Sequence, residues 1–355
     1  MIASLLLTTL LTVLPSDAPS MAQARRHLDG ERWVQAISDY REILAEEPDN
    51  GLAWYLLGYC FAGQGDHRSS LECNEKSLQH AGPKASVLYN MACSYEQLSE
   101  LESAEQRLKQ AIHAGYLDFD WIAQDGDLVK TLARGNVPIP EPGQFEHNEG
   151  RNGVQMPYAL LLPKNYAADR EYPAVVFFAA GSGPRAGAWT RDQFLDGTTR
   201  AQGSMVLLVM APERGWFTHP THHALEDLLK KVLREHNVAG KRFHGIGFGN
   251  GSNPGQTYAA GMSSGYFESF TQIDGRVASE RDSRDLLRKK DLRRHFLMRA
   301  SNSLGLADAR WAQGILKGAG RDASVQVIEE PAGSFPSLQH GVWLEVLGRL
   351  QGLKQ

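Results

Sequence analysis

Residues 243 to 254 read Phe243-His244-Gly245-Ile246-Gly247-Phe248-Gly249-Asn250-Gly251-Ser252-Asn253-Pro254. The run starts apolar and strand-like, and glycines at 247, 249 and 251 then open a tight corner ahead of a helix-compatible segment. Glycine adopts the left-handed backbone that such a corner needs, so the run reads as strand, sharp turn and helix. The chain after about residue 153 keeps this alternation, with strand candidates at 156–162, 174–180, 205–211, 242–248, 269–273, 295–300 and 324–329. The clearest helix is 224–236, where Leu225, Leu228, Leu229, Val232 and Leu233 share one face and Glu226, Asp227, Lys230, Lys231 and Arg234 stay wet. Strands alternating with helices predict an α/β domain with a mostly parallel sheet covered on both faces.

The 355 residues allow more than one domain. A net charge of -4 gives no general attraction to nucleic acid or anionic membrane, so no nucleic-acid partner is expected. Residues 2–14 are apolar apart from Ser4, Thr8, Thr9 and Thr12, too short a run to span a bilayer comfortably, and Ala22-Gln23-Ala24 offers small residues at cleavage spacing. Residues 1–24 are therefore expected to be a signal peptide and the protein to be periplasmic or secreted, with no integral membrane segment beyond the signal. A retained anchor stays open as the alternative, since no Lys or Arg precedes Arg25. Cys60, Cys73 and Cys93 fall in apolar helical settings without metal spacing, where core packing is expected.

From 25 to 135 the chain repeats itself. Trp54 and Leu88, Gly58 and Ala92, Leu71 and Glu105, and Leu78 and Ile112 are each offset by 34 residues. This pattern of small and aromatic positions resembles tetratricopeptide repeats. The resemblance implies antiparallel helix pairs, three units with a degenerate fourth in 116–132, and a groove that takes a protein or peptide partner. Packing within the same chain is the equal alternative. Val137-Pro-Ile-Pro-Glu-Pro-Gly143 follows, and its prolines hold the backbone extended, so 136–152 reads as a Pro-rich linker to a second domain over 153–355.

The second domain carries its own resemblance. Tyr158-Ala-Leu-Leu-Leu-Pro-Lys-Asn-Tyr166, Tyr172-Pro-Ala-Val-Val-Phe-Phe178, Pro212, Trp216, Asn237-Val238 and the glycine corner are similar to esterases of the polyhydroxybutyrate depolymerase and feruloyl esterase type. That likeness implies an α/β-hydrolase fold with a nucleophile, an acid and a histidine in chain order. The three positions hold Gly249, Asn302 (or Ser303) and Phe335. The resemblance therefore implies a hydrolase frame without its acyl-transfer groups, a pseudo-hydrolase needing no cofactor. It also implies a surviving oxyanion turn built from Gly181, Ser182, Gly183 and the N–H of Asn250, able to hold a small carboxylate or ester ligand.

Competing readings keep their place. Gly261-Met-Ser263-Ser264-Gly265 matches Gly-x-Ser-x-Gly but lacks a preceding strand, which makes it a helix end. Ser252 could act as a displaced nucleophile with His340 as base, which would make the chain an esterase-like enzyme. His219, His222 and His223, with Glu213, could bind metal, although a solvated or capping cluster fits better and no metal is expected. The stretch 276–299 holds nine Lys or Arg against four Asp or Glu, with a basic helix expected at 286–294.

Overall fold

The computed structural model describes residues 19–80, 82–192, 203–212, 219–249, 255, 259, 264–275, 292–299 and 303–328. The chain forms two compact units that divide between Arg107 and Leu108.

Helices follow as pairs in chain order: α1 (Met21–Asp29) and α2 (Trp33–Glu46), then α3 (Gly51–Gly63) and α4 (His67–Gln79) in the first unit, then α5 (Lys84–Gln97) and α6 (Leu101–His113), of which α6 runs across the divide at Arg107. Trp33, His67 and Leu101 open the second helix of each pair 34 residues apart, the period legible in the sequence. Asn50 and Asp66 cap α3 and α4 by accepting from the Ala53 and Ser69 backbone N–H groups. Gly58 lets α3 approach α4: a Cβ there would stand 3.1 Å from the Ser70 carbonyl oxygen. The Ser77 hydroxyl donates to the Gly51 carbonyl oxygen at 2.7 Å, which satisfies polar groups where the turns meet. Ala36, Tyr40, Ala53 and Cys60 are fully buried in the core of this unit. Burial pushes the Cys60 and Cys73 thiols up to about 12, so they behave as apolar side chains, as their helical settings predict.

The second unit holds an eight-stranded sheet in the order β1-β2-β4-β3-β5-β6-β7-β8. Its strands are β1 (Glu146–Glu149), β2 (Gln155–Leu161), β3 (Tyr172–Ser182), β4 (Met205–Ala211), β5 (Val238–Phe248), β6 (Phe267–Ile273), β7 (Arg293–Arg299) and β8 (Ala323–Ile328). β2 pairs antiparallel with β1 and β4, and every other pairing is parallel. The central strands are buried on both sides; β4, Met-Val-Leu-Leu-Val-Met-Ala, has no exposed position. Between the strands lie α9 (Gly183–Thr190), α10 (His219–Glu235) and α11 (Ser303–Gly318), and the short helices α7 (Phe119–Gln124) and α8 (Val129–Ala133) precede the sheet. Leu225, Leu228 and Leu229 of α10 pack with Val176, Phe178, Phe243 and Phe270 into one continuous apolar layer. This is the helix-flanked, mostly parallel sheet that the α/β-hydrolase resemblance implies.

Several expectations differ in detail. The stretch 136–152 is no free spacer: residues 146–149 form the edge strand β1, and Gly143 N–H donates to the Pro184 carbonyl oxygen. Alternation is weak in Glu-His-Asn-Glu, so β1 is recognisable by its pairing with β2 and not by its own residues. His219, His222 and His223 belong to the first turns of α10 and not to a loop. Arg293 and Arg294 open β7, so the basic helix cannot extend to 294; Arg294 is buried, and desolvation pulls its guanidinium down to about 9. Phe270 lies beneath that guanidinium, 5.9 Å from it. Ser264–Tyr266 forms a single 3₁₀ turn leading into β6, while Gly261 and Ser263 of the Gly-x-Ser-x-Gly match lie outside the described residues.

Candidate functional site

The candidate site is the carboxyl edge of the sheet, where β3 and β5 end side by side. β5 stops at Phe248, and Gly249, which follows it, holds a left-handed backbone at φ 50° and carries no side chain, while the remainder of the predicted corner, from residue 250, lies outside the described residues. Beside it, the turn from β3 into α9 holds Gly181 at φ 81° and Gly183 at φ 79°, flanking Ser182, the last residue of β3. Only glycine makes both bends without a Cβ penalty. Asn250, Ser252, Asn302, Phe335 and His340 lie outside the described residues.

A segment that the sequence assigned to a degenerate repeat covers this turn. The Leu117 carbonyl oxygen sits where a Cβ of Gly181 would stand, and the Asp120 carboxylate does the same at Gly183. Asp120 Oδ2 accepts from the Arg185 N–H at 3.0 Å, in the first turn of α9, and Oδ1 lies 3.7 Å from Arg185 Nε. The N-terminus of α9 thus meets a negative charge, as its dipole favours. Desolvation is the largest influence on this carboxyl and pushes it above the usual carboxylate range, against the pull of the Arg185 N–H and guanidinium. Arg185 also donates to the Pro140 carbonyl oxygen at 2.5 Å, tying the proline-rich stretch to the same helix. The Phe119 ring lies 5.9 Å from Trp189, and Trp189 lies 6.4 Å from Phe248.

Asp120 and Asp274 are acidic groups at this edge that the sequence did not single out. Asp274 directly follows β6, is buried, holds φ 51°, and donates its N–H to the Leu297 carbonyl oxygen at 2.8 Å. Its signal was its place just past the strand beside the corner, whereas the family order points to the end of β7. Asp120 carried no signal, because Asp118-Phe119-Asp120 reads as ordinary helix-start chemistry.

A Ser-His-Glu constellation does occur, further back along β5 and β6 from this edge. His244 Nδ1 lies 2.7 Å from Ser269 Oγ, and His244 Nε2 lies 2.9 Å from Glu268 Oε1. A register shift between Phe243 and His244 lets adjacent Glu268 and Ser269 reach the same ring. Ser269 is fully buried and sits near the start of β6, away from the carboxyl edge, so no substrate carbonyl can reach its hydroxyl. The arrangement satisfies buried polar groups. On α10, His222 Nε2 lies 3.3 Å from Glu226 Oε1, one turn along the same helix.

The helical unit offers its own groove of about 570 Å³, lined by Val34, Ile37, Arg41, Glu42, Phe61 and Gln64. Val34 is 68% exposed there, and the Arg41 guanidinium lies 5.4 Å from the Phe61 ring centre.

Known proteins are similar to parts of this chain. A tetratricopeptide repeat family model matches residues 21–85. A curated chloroplastic protein of Arabidopsis thaliana is 33% identical over 94 residues, which cover 26% of this chain and 28% of that protein, so the match spans under a third of the relative's length. Among solved structures, a thermostable esterase is similar at TM-score 0.46 and 19% identity, over 61% of this chain and 62% of that one. The AtxE2 isopeptidase is similar at TM-score 0.48 and 14% identity, over 65% and 42%. Thermogutta terrifontis esterase 2, phosphoramylated by tabun, is similar at TM-score 0.47 and 13% identity, over 61% and 96%. The chain thus carries tetratricopeptide repeats over residues 21–85, followed by a mostly parallel α/β sheet domain.

Proposed function

We propose that this chain is an exported pseudo-hydrolase: an α/β-hydrolase-fold domain without acyl-transfer chemistry, working as a binding protein together with its helical repeats. The observation that carries this reading is Gly249, which holds the left-handed corner at the end of β5 where the family resemblance requires a serine. Without a hydroxyl there, no acyl-enzyme can form at the corner, whatever stands at the other two positions. Asn302 and Phe335, at the acid and base positions, add two more losses to the same reading.

Binding falls to two surfaces. The groove of the helical unit takes a protein or peptide partner, and the turn at Gly181–Gly183 with Asn250 takes a carboxylate or ester oxygen without cleaving it. Export rests on the apolar N-terminal run. Because Ser20 caps α1 and Ala24 is buried, processing that preserves α1 falls before Ser20 rather than at Ala22–Ala24.

Purified full-length protein incubated with p-nitrophenyl acetate and butyrate tests the reading. Release of nitrophenol at the rate of a heat-denatured control is the expected result. Saturable turnover abolished by Ser252→Ala would instead establish the displaced-nucleophile enzyme.

A further inference from the structure

We propose that α7 is a built-in cap on the candidate site: the segment from Leu117 to Asp120 fills, from within the chain, the backbone positions that an oxygen-bearing ligand would use. The inference rests on reading Gly181–Gly183 as the surviving oxygen-binding turn.

Three contacts carry it. The first is steric. The Leu117 carbonyl oxygen and the Asp120 carboxylate stand where side chains of Gly181 and Gly183 would begin, so the chain entering α7 closes directly on the bare backbone of this turn. The second is electrostatic. A carboxylate ligand at this turn would take the first N–H groups of α9, and Asp120 already accepts from Arg185 N–H at 3.0 Å and pairs with its guanidinium at 3.7 Å. The third reaches the corner itself. Phe119, fully buried, leans on Trp189, and Trp189 leans on Phe248, the residue before Gly249.

The cap is also suited to opening. α7 has only six residues. So short a helix is marginal alone, and it is held by these contacts with the β3–α9 turn. Lifting it breaks the Asp120 bonds, exposes Phe119 and frees the turn, which makes the closed state an autoinhibited one.

Hydrogen exchange on the full chain, wild type against Asp120→Ala, tests the cap, with acetate as the ligand probe. Residues 181–190 are expected to exchange roughly tenfold faster in the variant while 174–178 in β3 stay unchanged. Acetate should then slow 181–190 in the variant and leave the wild type unaffected. Wild-type exchange at 181–190 in the variant would overturn the cap, and so would equal acceleration of 174–178. If Asp120→Ala does not fold, Asp120→Asn takes its place, keeping an oxygen for the Arg185 N–H while losing the charge; an intermediate rate supports the cap and an unchanged rate contradicts it. Faster exchange without any acetate protection would leave the cap standing and sink the oxygen-binding reading of the turn.

Discussion

Gly249 and Asp274 end neighbouring parallel strands at the same level. Each directly follows the last registered pair, Phe248 with Ile273, and each holds a left-handed backbone, φ 50° and 51°. For an aspartate this conformation is tolerated at a cost, and for glycine it is free. Left-handed residues held by surrounding structure gather at functional edges, which supports the proposal that this edge of the sheet binds a ligand.

Putting serine at the corner should therefore harm the protein without activating it. Gly249→Ser is expected to lose about 1 kcal/mol in urea unfolding, from the Cβ in a left-handed backbone. Hydrolysis of p-nitrophenyl esters should stay at background. A stable variant with measurable turnover would mean that acid and base still converge on that point.

Two glycine substitutions separate backbone strain from packing under α7. Gly240 is left-handed at φ 66° with open space around it, whereas Gly181 at φ 81° faces the Leu117 carbonyl oxygen. Gly240→Ala should cost about 1 kcal/mol and Gly181→Ala at least about 2, because only the second adds a backbone clash. Equal losses in chemical denaturation would show that Leu117 does not hold its place against the turn.

The His244–Ser269–Glu268 cluster is predicted to be structural. Ser269→Ala should cost about 1–3 kcal/mol, since it removes the 2.7 Å hydrogen bond to a buried imidazole. Any phosphonate adduct at Ser269 in the folded protein would refute this.

Arg151 holds Asp227 through three bonds: Nη2 to Oδ1 at 2.6 Å, Nε to Oδ2 at 3.1 Å and its backbone N–H to Oδ2 at 3.0 Å. This hydrogen bonding holds the Asp227 carboxyl below its ordinary range. A depressed folded pKa stabilises above the unfolded value and is lost as pH falls through the folded one. The melting temperature of Asp227→Asn should thus sit below wild type at neutral pH, with the gap closing as the solution is acidified below about pH 4. A gap independent of pH would assign the loss to packing.

Much of the architecture was legible because periodicity was strong. Met205–Ala211 coincides with β4, and the 34-residue offset fixes where α2, α4 and α6 begin. β1 was missed because an edge strand of Glu-His-Asn-Glu shows no alternation, and the prolines beside it read as a spacer. Of the proposed site, the backbone was legible: glycines betray left-handed positions, and Gly181, Gly183 and Gly249 all hold one. Asp120 was not, because a carboxylate that meets a helix more than sixty residues away leaves no local pattern.

The most direct measurement is intact-protein mass after incubation with a fluorophosphonate, whose phosphorus is attacked by the activated serine of a folded hydrolase with loss of fluoride. An unchanged mass is predicted, because the corner at Gly249 offers no hydroxyl. A single stoichiometric adduct, mapped to Ser252 or any other serine and lost on denaturation, would contradict the account and make the protein a hydrolase.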